Sequence, residues 1–565
     1  MKYLIQGQGE ISLTDSNYIT EGGEGKIYGK GNVIYKIYED PLKMIPYGKI
    51  QELKPLSIKD NILIPQNIIL TLKGVSIGFT MKWVQKTVPI CKLFTNDFRD
   101  KFKITPDMIY ALVERMQTDT QFIHENKCLI VDYNEMNLLV DDKTFRIPYF
   151  IDTNGYQTSK FPATAIMPSI RDWHSKTFTE LTDWFSFAIL ACQLFIGIHP
   201  YKGSFPNYSK KDLEKRMKEN ASIFNKVATV PSSTRDFSYI PPAYMDWFIK
   251  LFEKGERIPP PLIASLLKII SVKTTLIQST DNFIINFVQD YIDDIIDYWY
   301  VNYPICITKE AIWLGKAQYK TKLKDPGVIL LPKSMEPIMI NLESDLLSLS
   351  YLKDNEKIPC TIQASQKMIV GNSLFIMNDN KFSEVRIEEL GDKVITMIGT
   401  QWNCLPNASQ MFDGVVYQDI LGMPYLMIPY RDPYGRTCCS VSQVKELKGY
   451  KILDAKQTRG VVFMIGFKNS HYDKIILKFD DTYSTYNLRI IDDIGIGHIN
   501  FIVMDNGIVV SINEDDSIEI FSKNISNSSI KIIKDPDINS NMTLYRDGAR
   551  VLFSNKNKLY QISMK

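Results

Sequence analysis

Cysteine is scarce, with 8 residues scattered through 565, only Cys438 and Cys439 close together, and no CxxC pair. That spacing makes no disulfide framework and favours a reducing compartment, in which each thiol serves as a small buried hydrophobe. Histidine is scarcer still at 5 residues, and His124, His174 and His199 do not fall at metal-ligating intervals. Neither sign of charge dominates. The 66 basic and 64 acidic side chains leave a net +2, which lends no support to a broad nucleic-acid-binding surface. Long apolar runs are missing too. The most apolar stretch, Phe185 to Ile198, contains Gln193 and falls short of the roughly 20 residues that span a bilayer, so it reads as a buried helix of a soluble domain. The opening MKYLIQGQGEISLTDS has no sustained apolar core and does not read as a signal peptide.

What is present is enough for several cores. A chain of 565 residues, 45% hydrophobic and 23% charged, is expected to form two or three globular domains. IYGKGNVIYKIYED reads as strand, tight turn, strand, and a second β-rich stretch runs from Asn61 to Val84. Thr105-Pro106-Asp107 has the chemistry of a helix start, followed by an apolar stripe at Ile109, Leu112 or Val113, Met116 and Ile123. Asp183 opens a second, strongly apolar helix, and helical material continues through Tyr244 to Phe252. The proline run at Ile258-Pro259-Pro260-Pro261 predicts a break followed by a short helix. Residues 271–350 are expected to form a helical linker or docking segment, because DNFIINFVQDYIDDIIDYWY carries apolar and aromatic residues at helical spacing. From 351 to 565 short strands alternate with Asn, Asp and Gly turns, as in FIVMDNGIVVSINEDDSIEIF. This pattern predicts an all-β domain, either a β-propeller of about five blades or a less regular arrangement of strands.

Four segments of the first half stand out, in order. Gly22-Gly23-Glu24-Gly25-Lys26-Ile27-Tyr28-Gly29 lies between strand-like stretches and, taken alone, is an ordinary glycine-containing hairpin. Lys36 closes Val33-Ile34-Tyr35-Lys36. The run from His124 to Val140 carries Asp132 and, five residues on, Asn137. Ile151-Asp152-Thr153-Asn154-Gly155 places Asp152 twenty residues beyond Asp132.

With these motifs the chain from about Thr20 to Ile263 resembles the protein kinase-like family, and particularly its divergent members from bacteria and their tailed phages. The resemblance implies a bilobal α+β domain over 1–270, with a small lobe at about 15–84 and a large lobe at about 85–270. It also implies ATP and Mg2+ as nucleotide and metal. In that frame Gly22, Gly23 and Gly25 let backbone amides approach phosphates, and Lys36 pairs with them while an acid on the first helix, Glu52, holds it. Thr80-Met81-Lys82-Trp83 is similar to the segment between lobes, so Met81 and Lys82 would meet the adenine edge. Asp132 would orient the acceptor hydroxyl and take its proton. Asn137 and Asp152 would ligate magnesium. Asp183 and Arg257 match architectural positions, the former tying down the catalytic-loop backbone.

Departures from the family pattern are informative. Ile130 and Val131 stand where His-Arg precedes the catalytic aspartate, Asn134 replaces the loop lysine, and Thr153-Asn154 replaces Phe-Gly. Met167-Pro168-Ser169 lies where an Ala-Pro-Glu element belongs, which leaves Arg257 without its usual acidic partner. These changes speak against switching by phosphorylation of the activation segment. The expectation is ATP-dependent transfer to a serine or threonine hydroxyl of a protein, with the C-terminal β domain recruiting that protein or a scaffold, in a host bacterial cytoplasm or a virion. The alternative is a nucleotide-binding pseudokinase acting as a scaffold or phage structural protein.

Overall fold

The computed structural model describes residues 1–163, 165–261, 277–301, 303–321, 323–391, 393–432, 434–527 and 529–565. The protein is multidomain: one large sheet, then a helical part, then a C-terminal part made of many antiparallel sheets. The first sheet holds strands β1 (Lys2–Ile5), β2 (Gly9–Ser12), β3 (Tyr18–Gly22), β4 (Gly25–Lys30), β5 (Val33–Tyr38), β6 (Ile68–Leu70) and β7 (Ser76–Lys82), in spatial order β2-β1-β6-β7-β5-β4-β3. The β4–β5 hairpin turns on Gly31-Asn32, and Gly31 adopts a φ of 60°. Such left-handed backbone matches the twist of a two-residue hairpin and suits glycine.

A short helix, α1 (Tyr47–Leu53), joins β5 to β6 and buries only Lys49, Ile50 and Leu53. Beyond β7 come β8 (Thr87–Pro89), α2 (Asn96–Lys101), α3 (Pro106–Glu125), β9 (Leu138–Asp141), β10 (Pro148–Phe150), α4 (Glu180–Ile196), α5 (Leu213–Lys218) and α6 (Pro242–Phe252). Helix α3 starts as its sequence requires, with Pro106 in the first turn and the Thr105 hydroxyl accepting from the Met108 amide at 3.4 Å. Helix α4 starts three residues before Asp183, capped by Thr179, and ends at Gly197 with φ 82°. Every residue from Thr182 to Ile196 is buried, so α4 is the axis of the helical core.

The C-terminal part holds seven four-stranded antiparallel sheets among the described residues. Six use consecutive strands, within 295–320, 327–358, 366–403, 409–443, 451–494 and 501–534. The seventh joins Phe283–Asp290 to the last three strands, with Phe283 opposite Met564 and Asp290 opposite Lys558. The start of the region is thereby hydrogen-bonded to its end.

Two expectations are corrected. Over its described residues the helical linker of 271–350 is strand, beginning at Phe283, so the β region starts well before 351. The β-branched and aromatic residues of FIINFVQD satisfy a period of two as readily as a helical one, and pairing with Lys558–Met564 decides between them. Among the described residues seven sheets form in all, and between 351 and 565, where about five blades were expected, lie four whole sheets and three strands of another, so it is the bound at 351 that changes. The short helix expected after Pro261 falls on 262–276, outside the described residues.

The sheets lie directly against the N-terminal region. Leu453, Ile465 and Tyr472 belong to the same buried cluster as α3 and α4. Ion pairs join Lys101 to Asp325 at 3.2 Å, Asp100 to Lys309 at 2.9 Å and Lys86 to Asp345 at 2.7 Å. On the strand side Tyr18 donates to Asp419 at 3.4 Å. No helix among the described residues is long and apolar enough to cross a membrane.

Candidate functional site

Asp132 and Asn137 sit on the loop between α3 and β9. The loop is pinned from beneath by Asp183: its Oδ2 accepts from the Ile130 amide at 2.7 Å and contacts His124 Nε2 at 2.9 Å, while Oδ1 accepts from the Val131 amide at 2.9 Å. Val131 is held at φ 63°, which costs a β-branched residue about 1–3 kcal/mol. The buried carboxylate of Asp183 supplies the hydrogen bond that keeps it there. The result is to aim the next residue: Asp132 Oδ1 accepts from the Met167 amide at 2.8 Å, and Asn137 Nδ2 donates to Asp132 Oδ2 at 3.3 Å and to its carbonyl at 3.0 Å. Burial raises the pKa of Asp132, only partly opposed by hydrogen bonds from Asn134, Met167 and Asn137.

Asp152 comes from the end of β10, in left-handed backbone at φ 56°. The Ile151 amide donates to the Asn137 carbonyl at 3.0 Å, so the two expected metal ligands are carried by hydrogen-bonded segments. Lys36, on β5, lies 3.4 Å from Asp152 and 2.7 Å from Glu24. Burial would depress its ammonium, but Asp152 and Glu24 outweigh burial and hold its pKa raised. The expected Lys36–Glu52 pair is not formed. Glu52 Oε2 instead accepts from the Lys160 amide at 3.2 Å, because the inward face of α1 falls at Lys49 and Ile50 and leaves Glu52 at its edge.

Of the remaining expected residues, Gly22, Gly23, Met81 and Lys82 line one cavity with Lys36, Asn137 and Asp152. That cavity, about 4080 Å³, continues into the space between the N-terminal region and the C-terminal sheets. Gly25 has a different reason to be glycine: a Cβ there would lie 2.1 Å from the Ile37 carbonyl of β5. At Gly23 a Cβ would meet nothing within 4 Å, which leaves open space beside the loop.

The hard oxygen donors available for a magnesium ion are the half-exposed Asp152 carboxylate and the Asn137 amide oxygen, whose nitrogen is spent on Asp132. Two such oxygens fit a magnesium completed by waters and phosphates. Among the described residues no cluster of three or more His, Cys, Asp or Glu could hold a metal by itself.

Sequence reasoning left the partner of Arg257 open, and it is Asp172, gripped in a two-point fork at 2.7 Å from both Nε and Nη2. Glu24 was visible in the glycine segment, but nothing local said that its side chain would reach Lys36. Glu135 was also missed. It is buried between Asp132 and Asn137 and accepts a hydrogen bond from Tyr472 of the C-terminal sheets. No protein-family model matches this chain, and no curated protein does.

Proposed function

We propose that the N-terminal region is a protein kinase-like domain that transfers the γ-phosphoryl group of ATP to a serine or threonine hydroxyl of a protein, and that the C-terminal sheets form a seven-bladed β-propeller. The observation that carries the first part is the meeting of Lys36, Asn137 and Asp152, drawn from separate elements, at one cavity with Gly22 and Gly23, while Asp132 is hydrogen-bonded to Asn137 on the same loop. The acceptor oxygen bonds to the γ-phosphorus as the bond to the β–γ bridging oxygen breaks. ADP departs, and the hydroxyl proton passes to Asp132. Lys36 attracts the phosphates, and Asn137 orients Asp132 through its amide. Magnesium held by Asp152 and Asn137 would neutralise phosphate charge. The propeller reading is supported by seven four-stranded sheets in chain order, of which one is completed by strands from both ends of the region.

A second reading, a nucleotide-binding scaffold without transfer, is favoured by one feature. Both reactive side chains are already engaged, Asp132 by the Met167 amide and Lys36 by Glu24. Incubation with labelled ATP, magnesium and a panel of protein acceptors separates the two. The transfer reading expects wild-type incorporation at least ~100-fold above Asp132→Asn. Equal incorporation by both proteins sinks it, and tight ATP binding with no transfer to any acceptor favours the scaffold.

A further inference from the structure

The acid that holds Lys36 comes from the glycine loop itself. Strands β3 and β4 close with Gly22 opposite Gly25, which leaves Gly23-Glu24 as a two-residue turn. The Glu24 carbonyl accepts from the Glu39 amide at 3.1 Å, just past the end of β5, so the turn is tied by its backbone to the strand that carries Lys36. From that anchor the Glu24 carboxylate reaches Lys36 Nζ at 2.7 Å, and the Asp152 carboxylate lies 3.4 Å from the same nitrogen.

This contact sits where a phosphate would arrive. Lys36 lines the cavity together with Gly22, Gly23, Asn137 and Asp152. An ammonium has three N–H donors, and here two of them are taken by carboxylates. One ammonium against two carboxylates leaves a negative charge in excess, which repels a polyphosphate for as long as both acids stay. The two acids are not equally placed to leave. Asp152 is fixed by its position at the end of β10 and is the expected metal ligand. Glu24 is half-exposed, its anchor is in its backbone, and its side chain turns into water without moving the loop, whereas the Lys36 side chain is only 11% exposed and stays.

We infer that Glu24 is a built-in competitor for the phosphate tail of a nucleoside di- or triphosphate, holding the Lys36 ammonium in the place of a phosphate oxygen until the nucleotide displaces it. This rests on the nucleotide-binding proposal above. It makes Glu24 a determinant of affinity for the phosphates and not for the nucleoside, and it sets the empty site in a self-paired state.

Calorimetric titration of the full chain with adenosine, ADP and ATP in EDTA tests it, since omitting metal removes any route through magnesium. Glu24→Gln is expected to tighten ADP and ATP about fivefold and to leave adenosine within about twofold. Glu21→Gln takes an equal charge from the cavity wall, at a residue with no ion pair to Lys36, and is expected to leave all three ligands within about twofold. ADP and ATP bound by Glu24→Gln no more tightly than by wild type, adenosine tightened equally, or an equal gain from Glu21→Gln would overturn the inference. If wild type and Glu24→Gln both bind none of the three, the nucleotide proposal itself falls, and the competitor with it. Nucleotide bound equally by both proteins removes the competitor alone, so the two failures are told apart.

Discussion

The carboxylate of Asp132 is raised from its ordinary pKa of 3.8 chiefly because burial penalises the charged form. A carboxyl whose pKa is higher folded than unfolded adds stability below the unfolded value and loses it as pH rises through the folded one. At neutral pH the ionised side chain therefore costs stability. Asp132→Asn is expected to melt about 1–2 °C above wild type at neutral pH. The difference should shrink as pH falls towards about 4. Thermal unfolding followed by circular dichroism between these limits is the check, and a variant that melts below wild type at neutral pH contradicts the argument. His199 has no such role. Burial takes its pKa down to about 3, its Nδ1 accepts from the Tyr201 amide, and its Nε2 donates to the Ser169 carbonyl, so it stays neutral across the physiological range.

Within the glycine loop, neighbouring residues of one type answer to different forces. Gly25 is where β4 crosses β5, with the Ile37 carbonyl in the place a Cβ would take, whereas Gly23 faces open space and has no left-handed φ. Gly25→Ala is thus expected to cost about 3 kcal/mol in denaturant unfolding, through displacement of β5 and the lysine on it. Gly23→Ala should stay within about 0.5 kcal/mol of wild type in the same assay. If the two variants unfold alike, the close crossing is not what requires Gly25. The α4 helix shows the same division of labour: Thr179 and Gly197 set its ends, and its buried length sets the position of Asp183 beneath the Asp132 loop.

At the scale of the whole molecule the C-terminal sheets are part of the site's foundation. Tyr472 reaches across 337 residues of sequence to donate to Glu135, between Asp132 and Asn137. Burial raises the Glu135 pKa, and the Tyr472 hydrogen bond opposes that rise. Tyr472→Phe removes the donor and leaves a buried carboxyl short of a partner, at an expected cost of about 1–3 kcal/mol. Differential scanning calorimetry should record the loss, and hydrogen exchange should rise at the amides of 130–137. Exchange unchanged there would mean that Tyr472 does not steady the loop. The Lys101–Asp325, Asp100–Lys309 and Lys86–Asp345 pairs are partly exposed, and each is worth about 1 kcal/mol or less, so the buried contacts carry the joint.

Local chemistry determined much of this protein directly from its sequence. The Thr105-Pro106 helix start, the apolar stripe of α3, the buried length of α4 and the strand-and-turn rhythm of the C-terminal half all depend on neighbours a few residues apart. The spacing that brings Asp132 and Asn137 together is local in the same sense. Tertiary structure alone decided the pairings between distant segments. Glu24 rather than Glu52 meets Lys36, Asp172 meets Arg257, Tyr472 meets Glu135, and FIINFVQD is a strand because Lys558–Met564 lies beside it. The physical reason is common to all four. A charge, a phenol or a strand edge states in sequence what kind of partner it needs, but which partner lies within 3 Å is set only when the chain has packed.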